Sequence, residues 1–203
     1  MPLPKSLPRI YLVTPEPRPG RPLQDFVDAL ERSLQGGIRL VQLRAKTISD
    51  ADYLVLARHA VDCCHRYGAS IVLNAPLDIA DALQADGLHL TSARLMHCAQ
   101  RPLPVGKLLS CACHDAHQVR QAHRLGADLM TISPVLPTAT HTTARPLGWP
   151  GLQDLAALAT APVYALGGMT VDCLAQAQAA GAHGIAGIRS LWKGPVADGD
   201  RCG

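Results

Sequence analysis

The sequence predicts a small (β/α)8 barrel, and three observations predict it. Short apolar runs alternate with helical stripes eight times along 203 residues, the layout of parallel strands joined by helices. Glycine marks most returns from helix to strand: Gly37 before Ile38, Gly68 before Ala69, Gly126 before Asp128 and Gly181 before His183, with Ala85-Asp86-Gly87 a close variant. Such a glycine permits the left-handed conformation that ends a helix before the chain re-enters a sheet. Prolines crowd the region after the first strand, where a doubly wound open sheet, the alternative, would carry a Gly-rich fingerprint. The uneven spacing excludes a solenoid repeat.

Residues 9–13 form the first strand, and 14–22 a proline-rich loop at the top of the fold. Leu23, Phe26, Val27, Leu30 and Leu34 draw a helical stripe over 23–35, stopped by Gly36-Gly37. Strand two is 38–43. Thr47 or Ser49 caps a helix that runs to about Tyr67. Strand three is 70–73, followed by a short helix at 76–84; strand four is 87–90, followed by one near 93–99. Strand five, 107–113, leads to a helix over 114–125, and strand six is 128–132. A long loop, 133–149, is functional by its length alone. A helix at 152–159 precedes strand seven, 163–166. Thr170 caps the following helix, which has Asp172 in its first turn and runs to Ala180; strand eight is 184–188. One barrel domain therefore fills 1–203, with its core at about 9–192 and a loose tail at 197–203.

Apolar residues make up 48% and charged residues 17%, with a single Phe, so Leu, Ala, Val and Ile must build the core. A net charge of +3, scattered along the chain, argues against nucleic acid as the main partner and suits a small anionic ligand. The seven cysteines are odd in number and dispersed, and residues 1–8 are too short and proline-rich for a secretion signal. Both facts predict reduced thiols and a cytoplasmic protein. No apolar run approaches the roughly 18–20 residues that cross a bilayer. The sequence permits a homo-oligomer and does not specify one.

In a barrel, active groups gather at the C-terminal ends of the strands. Gly167-Gly168 falls between a buried strand and a helix start, where backbone N–H groups can approach an anion closely. A plain strand-to-helix turn is the other reading. Gln42, Arg44 and Lys46 share one face at the end of strand two, since strand side chains alternate. Two cations and an amide facing one pocket call for an anion; a salt-bridged strand end is the alternative. Asn74, His89, Thr138, Thr140, His141 and Arg189 stand at other strand ends. His89 is either an acid–base group or a histidine satisfied within the barrel wall. Cys111 and Cys113 face one side of a strand and read as small buried hydrophobes. His114 and His117 lack a further ligand for zinc, and no metal site is assigned to the protein itself. The segment 18–21, Arg-Pro-Gly-Arg, is either a cover over the pocket or a solvated loop.

Several blocks together resemble the thiamine phosphate synthase family and its thiazole tautomerase relatives. They are Gln42-Leu43-Arg44-Ala45-Lys46, Leu73-Asn74, Asp86-Gly87-Leu88-His89-Leu90, Gly126-Ala127-Asp128, the run 133–140 beginning Ser133-Pro134-Val135, and Ala165-Leu166-Gly167-Gly168-Met169. They occur in family order from Arg9 to Leu191. His-Leu-Thr-Ser at 89–92 and Cys-His-Asp at 113–115 are closest to the version often fused behind a Nudix domain, though no Nudix domain is expected in these residues. The resemblance implies an enzyme whose partners are small phosphorylated heterocycles. It couples hydroxymethylpyrimidine diphosphate to thiazole phosphate: pyrophosphate leaves, and the thiazole nitrogen captures the pyrimidine methyl cation. By the same resemblance Gln42, Arg44, Lys46 and Asn74 hold the pyrimidine diphosphate. Thr138, Thr140, Gly167, Gly168, Ile188 and Arg189 hold the thiazole phosphate, and Arg44, Lys46, His89 and His141 are the catalytic candidates.

The chain also departs from the family. Ala75 stands where an acid usually follows Asn74, and Arg94 lies near the position of a second acid; both acids normally bind Mg²⁺. Mg²⁺ would then arrive only through the substrate's pyrophosphate. Ala112 replaces a serine, and His141 replaces a lysine. Three outcomes are open: Arg94 replaces the metal's charge, the protein acts on thiazole phosphate alone as the tautomerases do, or it binds a related phosphate without catalysis. The tautomerase outcome lacks its expected histidine, whose position aligns with Pro134.

Overall fold

A computed structural model describes residues 6–138 and 145–194. The expected tail at 197–203, Thr140 and His141 lie outside the described residues. Eight strands pair in parallel, each with its neighbour in sequence, and the eighth closes on the first. They are β1 (Ile10–Val13), β2 (Leu40–Leu43), β3 (Ser70–Leu73), β4 (Gly87–Leu90), β5 (Leu108–Cys113), β6 (Leu129–Ile132), β7 (Val163–Ala165) and β8 (Gly184–Gly187). Closure is the pairing of Ile10, Tyr11 and Leu12 with Ile185, Ala186 and Gly187.

Helices lie between strands as the periodicity predicts: α1 (Leu23–Gln35), α2 (Asp50–Arg66), α3 (Leu77–Ala82), α4 (Ser92–His97), α5 (Ala116–Arg124), α6 (Gly148–Ala156) and α7 (Leu174–Ala179). Of the two candidate caps for α2, Ser49 serves: its hydroxyl accepts from Asp52 N at 3.1 Å. Asp115 caps α5 through Gln118 N at 2.8 Å, so that helix starts two residues later than its apolar stripe suggests. α6 starts four residues earlier than predicted. Pro150 falls in its first turn, where a missing N–H costs no helical bond. Thr170 makes no side-chain bond to the helix backbone; the chain first takes a 3-10 turn, Val171–Cys173.

Two apolar layers hold the barrel. Alternate residues of each strand face outward onto the helices, among them Leu12, Val41, Ile71, Leu88 and Ile132. The others face inward, including Tyr11, Leu40, Val72, Leu108 and Tyr164. Cys111 and Cys113 lie fully buried in the outer layer, and burial pushes the Cys113 thiol up to about 12, so both are packing groups, as expected. Cys63 and Cys64 are buried in α2 as well.

The glycine returns divide into two kinds. Gly37, Gly68, Gly126 and Gly181 all have positive φ, as a helix C-terminus with glycine requires. The variant at 85–87 differs: the left-handed residue there is Gln84, at φ 56°. Gly87 is needed for space instead, because a Cβ on it would meet the Leu108 carbonyl oxygen at 2.0 Å. Gly87→Ala should therefore lower unfolding free energy by about 1–3 kcal/mol or more through overpacking. Urea denaturation checks this against Gly106→Ala, where a Cβ meets nothing within 4 Å and only the positive φ of 96° is strained.

Candidate functional site

All strand ends of one polarity meet at one mouth, because the eight strands are parallel and closed. One side of that mouth is built from the segments after β6, β7 and β8. The first two are stitched together: Val135 N donates to Leu166 O at 2.9 Å and Leu136 N to Gly167 O at 3.1 Å. Gly167 and Gly168 sit at φ 97° and 67°. A Cβ on Gly168 would lie 2.7 Å from Pro137 O and 2.8 Å from Leu136 Cβ. Only glycine satisfies both constraints. Ser190 Oγ donates to Met169 O at 2.7 Å and ties the segment after β8 to the one after β7.

These segments enclose a cavity of about 230 Å³. Thr138, Gly167, Gly168, Ile188 and Arg189 all line it. They are five of the six residues predicted for the thiazole phosphate, and the sixth, Thr140, is outside the described residues. The backbone amides of Gly168 and Ile188 donate to no backbone carbonyl among the described residues. Pro134 also lines the cavity, and the carbonyl of the preceding Ser133 lies 2.7 Å from His114 Nδ1. His114 is thus a support for this wall.

The other side of the mouth is cationic. Gln42 faces the barrel interior, almost fully buried, and its Nε2 donates to Tyr11 Oη at 3.1 Å. Arg44 and Lys46 lie beyond β2's last residue. Arg44 Nη1 pairs with Glu16 Oε1 at 2.6 Å, and Glu16 Oε2 accepts from Lys46 N at 2.8 Å. The salt-bridged strand end that the sequence left open is therefore present, with Glu16 as the acid. Thr14 clasps Arg44 through both backbone groups: its Oγ1 donates to Arg44 O and accepts from Arg44 N. Sequence inspection missed Glu16 and Thr14. Their one signal was an isolated acid in a proline loop. The Lys46 ammonium makes no ion pair among the described residues. Partial desolvation, and then Arg44, lower its pKa.

Asn74 is half-buried just after β3, its backbone N–H donating to Leu43 O at 3.1 Å. His89 lies inside the barrel, 4% exposed, with Nδ1 2.8 Å from Ser110 Oγ. Ser110 Oγ is also 3.2 Å from Tyr11 Oη, which completes a buried chain of polar groups across β2, β1, β5 and β4. Desolvation, then Arg94 and Lys46, lower the His89 pKa to about 3. A neutral imidazole so placed hydrogen-bonds within the wall and carries no charge near neutrality. Arg18 and Arg21 line a separate cavity of about 210 Å³ with Phe26 and Trp192, so the 18–21 segment does not line the phosphate-side cavity.

The lowered His89 pKa makes stability depend on pH. The unfolded chain takes up this proton near pH 6.5, the folded chain only near 3. Its contribution is therefore whole above pH 6.5 and is lost as pH falls toward 3, at about 1.4 kcal/mol per pH unit. The difference in pH-dependent unfolding between the native chain and His89→Asn should have that slope. Equal slopes would refute a neutral buried imidazole.

A family model described as thiamine monophosphate synthase matches residues 10–191. A relative from Aquifex aeolicus is 34% identical over 183 residues, which cover 90% of this chain and 97% of the relative. The thiamine-phosphate synthase of a Synechococcus species is 32% identical over 184 residues, 90% of this chain but 52% of that longer protein. Among solved structures, thiamine phosphate pyrophosphorylase from Pyrococcus furiosus superposes with a TM-score of 0.71 at 22% identity, over 89% of this chain and 85% of that one. That likeness is one of fold.

Proposed function

The chain belongs to the thiamine monophosphate synthase family, and on that premise we propose that it couples hydroxymethylpyrimidine diphosphate to thiazole phosphate, releasing pyrophosphate. The observation that carries this reading is the pairing, at one mouth, of a glycine-lined cavity with a cluster of cations. The cavity suits the thiazole phosphate. Amides of Gly168 and Ile188, the Thr138 hydroxyl and the Arg189 guanidinium are the groups to receive it, by backbone and charge-assisted bonds.

The diphosphate end falls to Arg44, Lys46 and Asn74. In the reaction the bond between the pyrimidine methylene carbon and the diphosphate oxygen breaks, and its electron pair leaves with pyrophosphate. The lone pair of the thiazole nitrogen then forms the new carbon–nitrogen bond. No proton need move in this exchange, so a neutral His89 is no obstacle. The protein's part is to align two substrates and to stabilise charge on the leaving group. We assign His89 to shaping the pocket floor. His141, outside the described residues, is assigned no role.

The resemblance implies Mg²⁺ on the diphosphate. Such an ion takes oxygen donors, one or two of them carboxylates. Ala75 is a buried methyl and Arg94 a cation at the two positions concerned. No group of three or more His, Cys, Asp or Glu among the described residues could hold a metal ion. The donor set does not fit a protein-held magnesium.

A second reading is a relative that acts on thiazole phosphate alone; the loss of both acids and the pairing of Arg44 with Glu16 favour it. No helix among the described residues is long and apolar enough to cross a membrane, and the unpaired cysteines suit a reducing cytoplasm.

Incubation with both substrates should yield thiamine phosphate, read by fluorescence after oxidation. No product together with saturable thiazole phosphate binding would leave only the second reading. Arg44→Ala should weaken pyrimidine diphosphate binding by about tenfold or more, the scale of one charge-assisted pair, and should leave thiazole phosphate affinity nearly unchanged. Equal weakening in calorimetry would overturn the assignment of the two half-sites.

A further inference from the structure

The segments after β2 and β4 hold three cationic heads, Arg44, Lys46 and Arg94. Glu16 pairs with Arg44. Lys46 and Arg94 have no ion pair among the described residues. Arg94 is half-buried in α4, one turn beyond the end of β4. Among the described residues its guanidinium makes a single, long hydrogen bond, Nη1 to His89 O at 3.5 Å, which leaves most of the fork without a partner.

Arg94 and Lys46 both act on the His89 imidazole, each lowering its pKa. A half-buried guanidinium with so few partners is costly. An anion with several oxygens would satisfy its fork and offset both charges.

We propose that Arg94, with Lys46, holds the diphosphate directly, a guanidinium doing what a divalent cation would otherwise do. This rests on the coupling reading above and deepens it. Arg94 presents a planar fork that matches two phosphate oxygens, and Lys46 a point charge. As the carbon–oxygen bond breaks, the electron pair stays on the departing pyrophosphate, and this fixed positive charge stabilises it. Binding of the diphosphate is then independent of magnesium.

Calorimetry with inorganic pyrophosphate tests this on the intact chain. The affinity should agree within about threefold with Mg²⁺ present or with EDTA, a difference well under one charge-assisted bond. Arg94→Ala should weaken it by about tenfold or more, and Arg94→Lys should restore part of the loss. Circular dichroism and thermal unfolding of each variant separate lost binding from lost folding. Tightening by Mg²⁺ of tenfold or more, or an Arg94→Ala affinity equal to the native one, overturns the proposal. The two readings fail separately. Thiamine phosphate formed by a chain whose pyrophosphate affinity ignores Arg94 removes only this inference. Metal-free, Arg94-dependent pyrophosphate binding without product removes only the coupling.

Discussion

The pairing of β8 with β1 is the constraint on which everything else depends. Without Ile10–Ile185 and its two companions the sheet would be open, with two unpaired edges. With them, the inner faces of eight strands must be filled from within and their C-terminal ends are forced into one ring. Residues as distant in sequence as Glu16 and Arg189 become neighbours of a common opening. Large inward groups such as Tyr11 and Tyr164, which meet edge to face at 5.4 Å, fill the interior. Gly87 and Gly184 lie where adjacent backbone approaches within 2.0 Å of a Cβ.

Within that ring the two halves of the mouth are made by different means. Over β6 to β8 the chain uses backbone: carbonyls and amides of neighbouring segments bond to each other, and glycine supplies conformations no other residue accepts. Over β2 to β4 it uses side chains, and charge rather than shape sets the environment. The buried chain from Gln42 through Tyr11 and Ser110 to His89 runs beneath the charged half. Burial pushes the Tyr11 phenol up to about 12, so the floor remains uncharged under a positive rim.

The fold was legible because its signals are local. An apolar run, a helical stripe and a terminal glycine each report on a few adjacent residues, and α1, β3 and β4 fall on their predicted bounds. Gly87 was misread because its role is set by Leu108, 21 residues away across the sheet. The five described residues expected around the thiazole phosphate came from the family resemblance, and they line one cavity. Arg44 and Lys46 were found as cations. The partner of Arg44 was not, since Glu16 reaches it only once β1 and β2 are paired and the proline loop is laid down.

The stitched segments after β6 and β7 form a receptacle braced by its own main chain. The described part of that wall is already fixed by those bonds, so on the proposed reading its ordering adds little to the entropy lost when a guest arrives. On that reading the pocket accepts phosphoryl groups of similar girth with similar ease. Discrimination among phosphorylated small molecules must then fall to whatever the rest of the molecule touches farther around the rim.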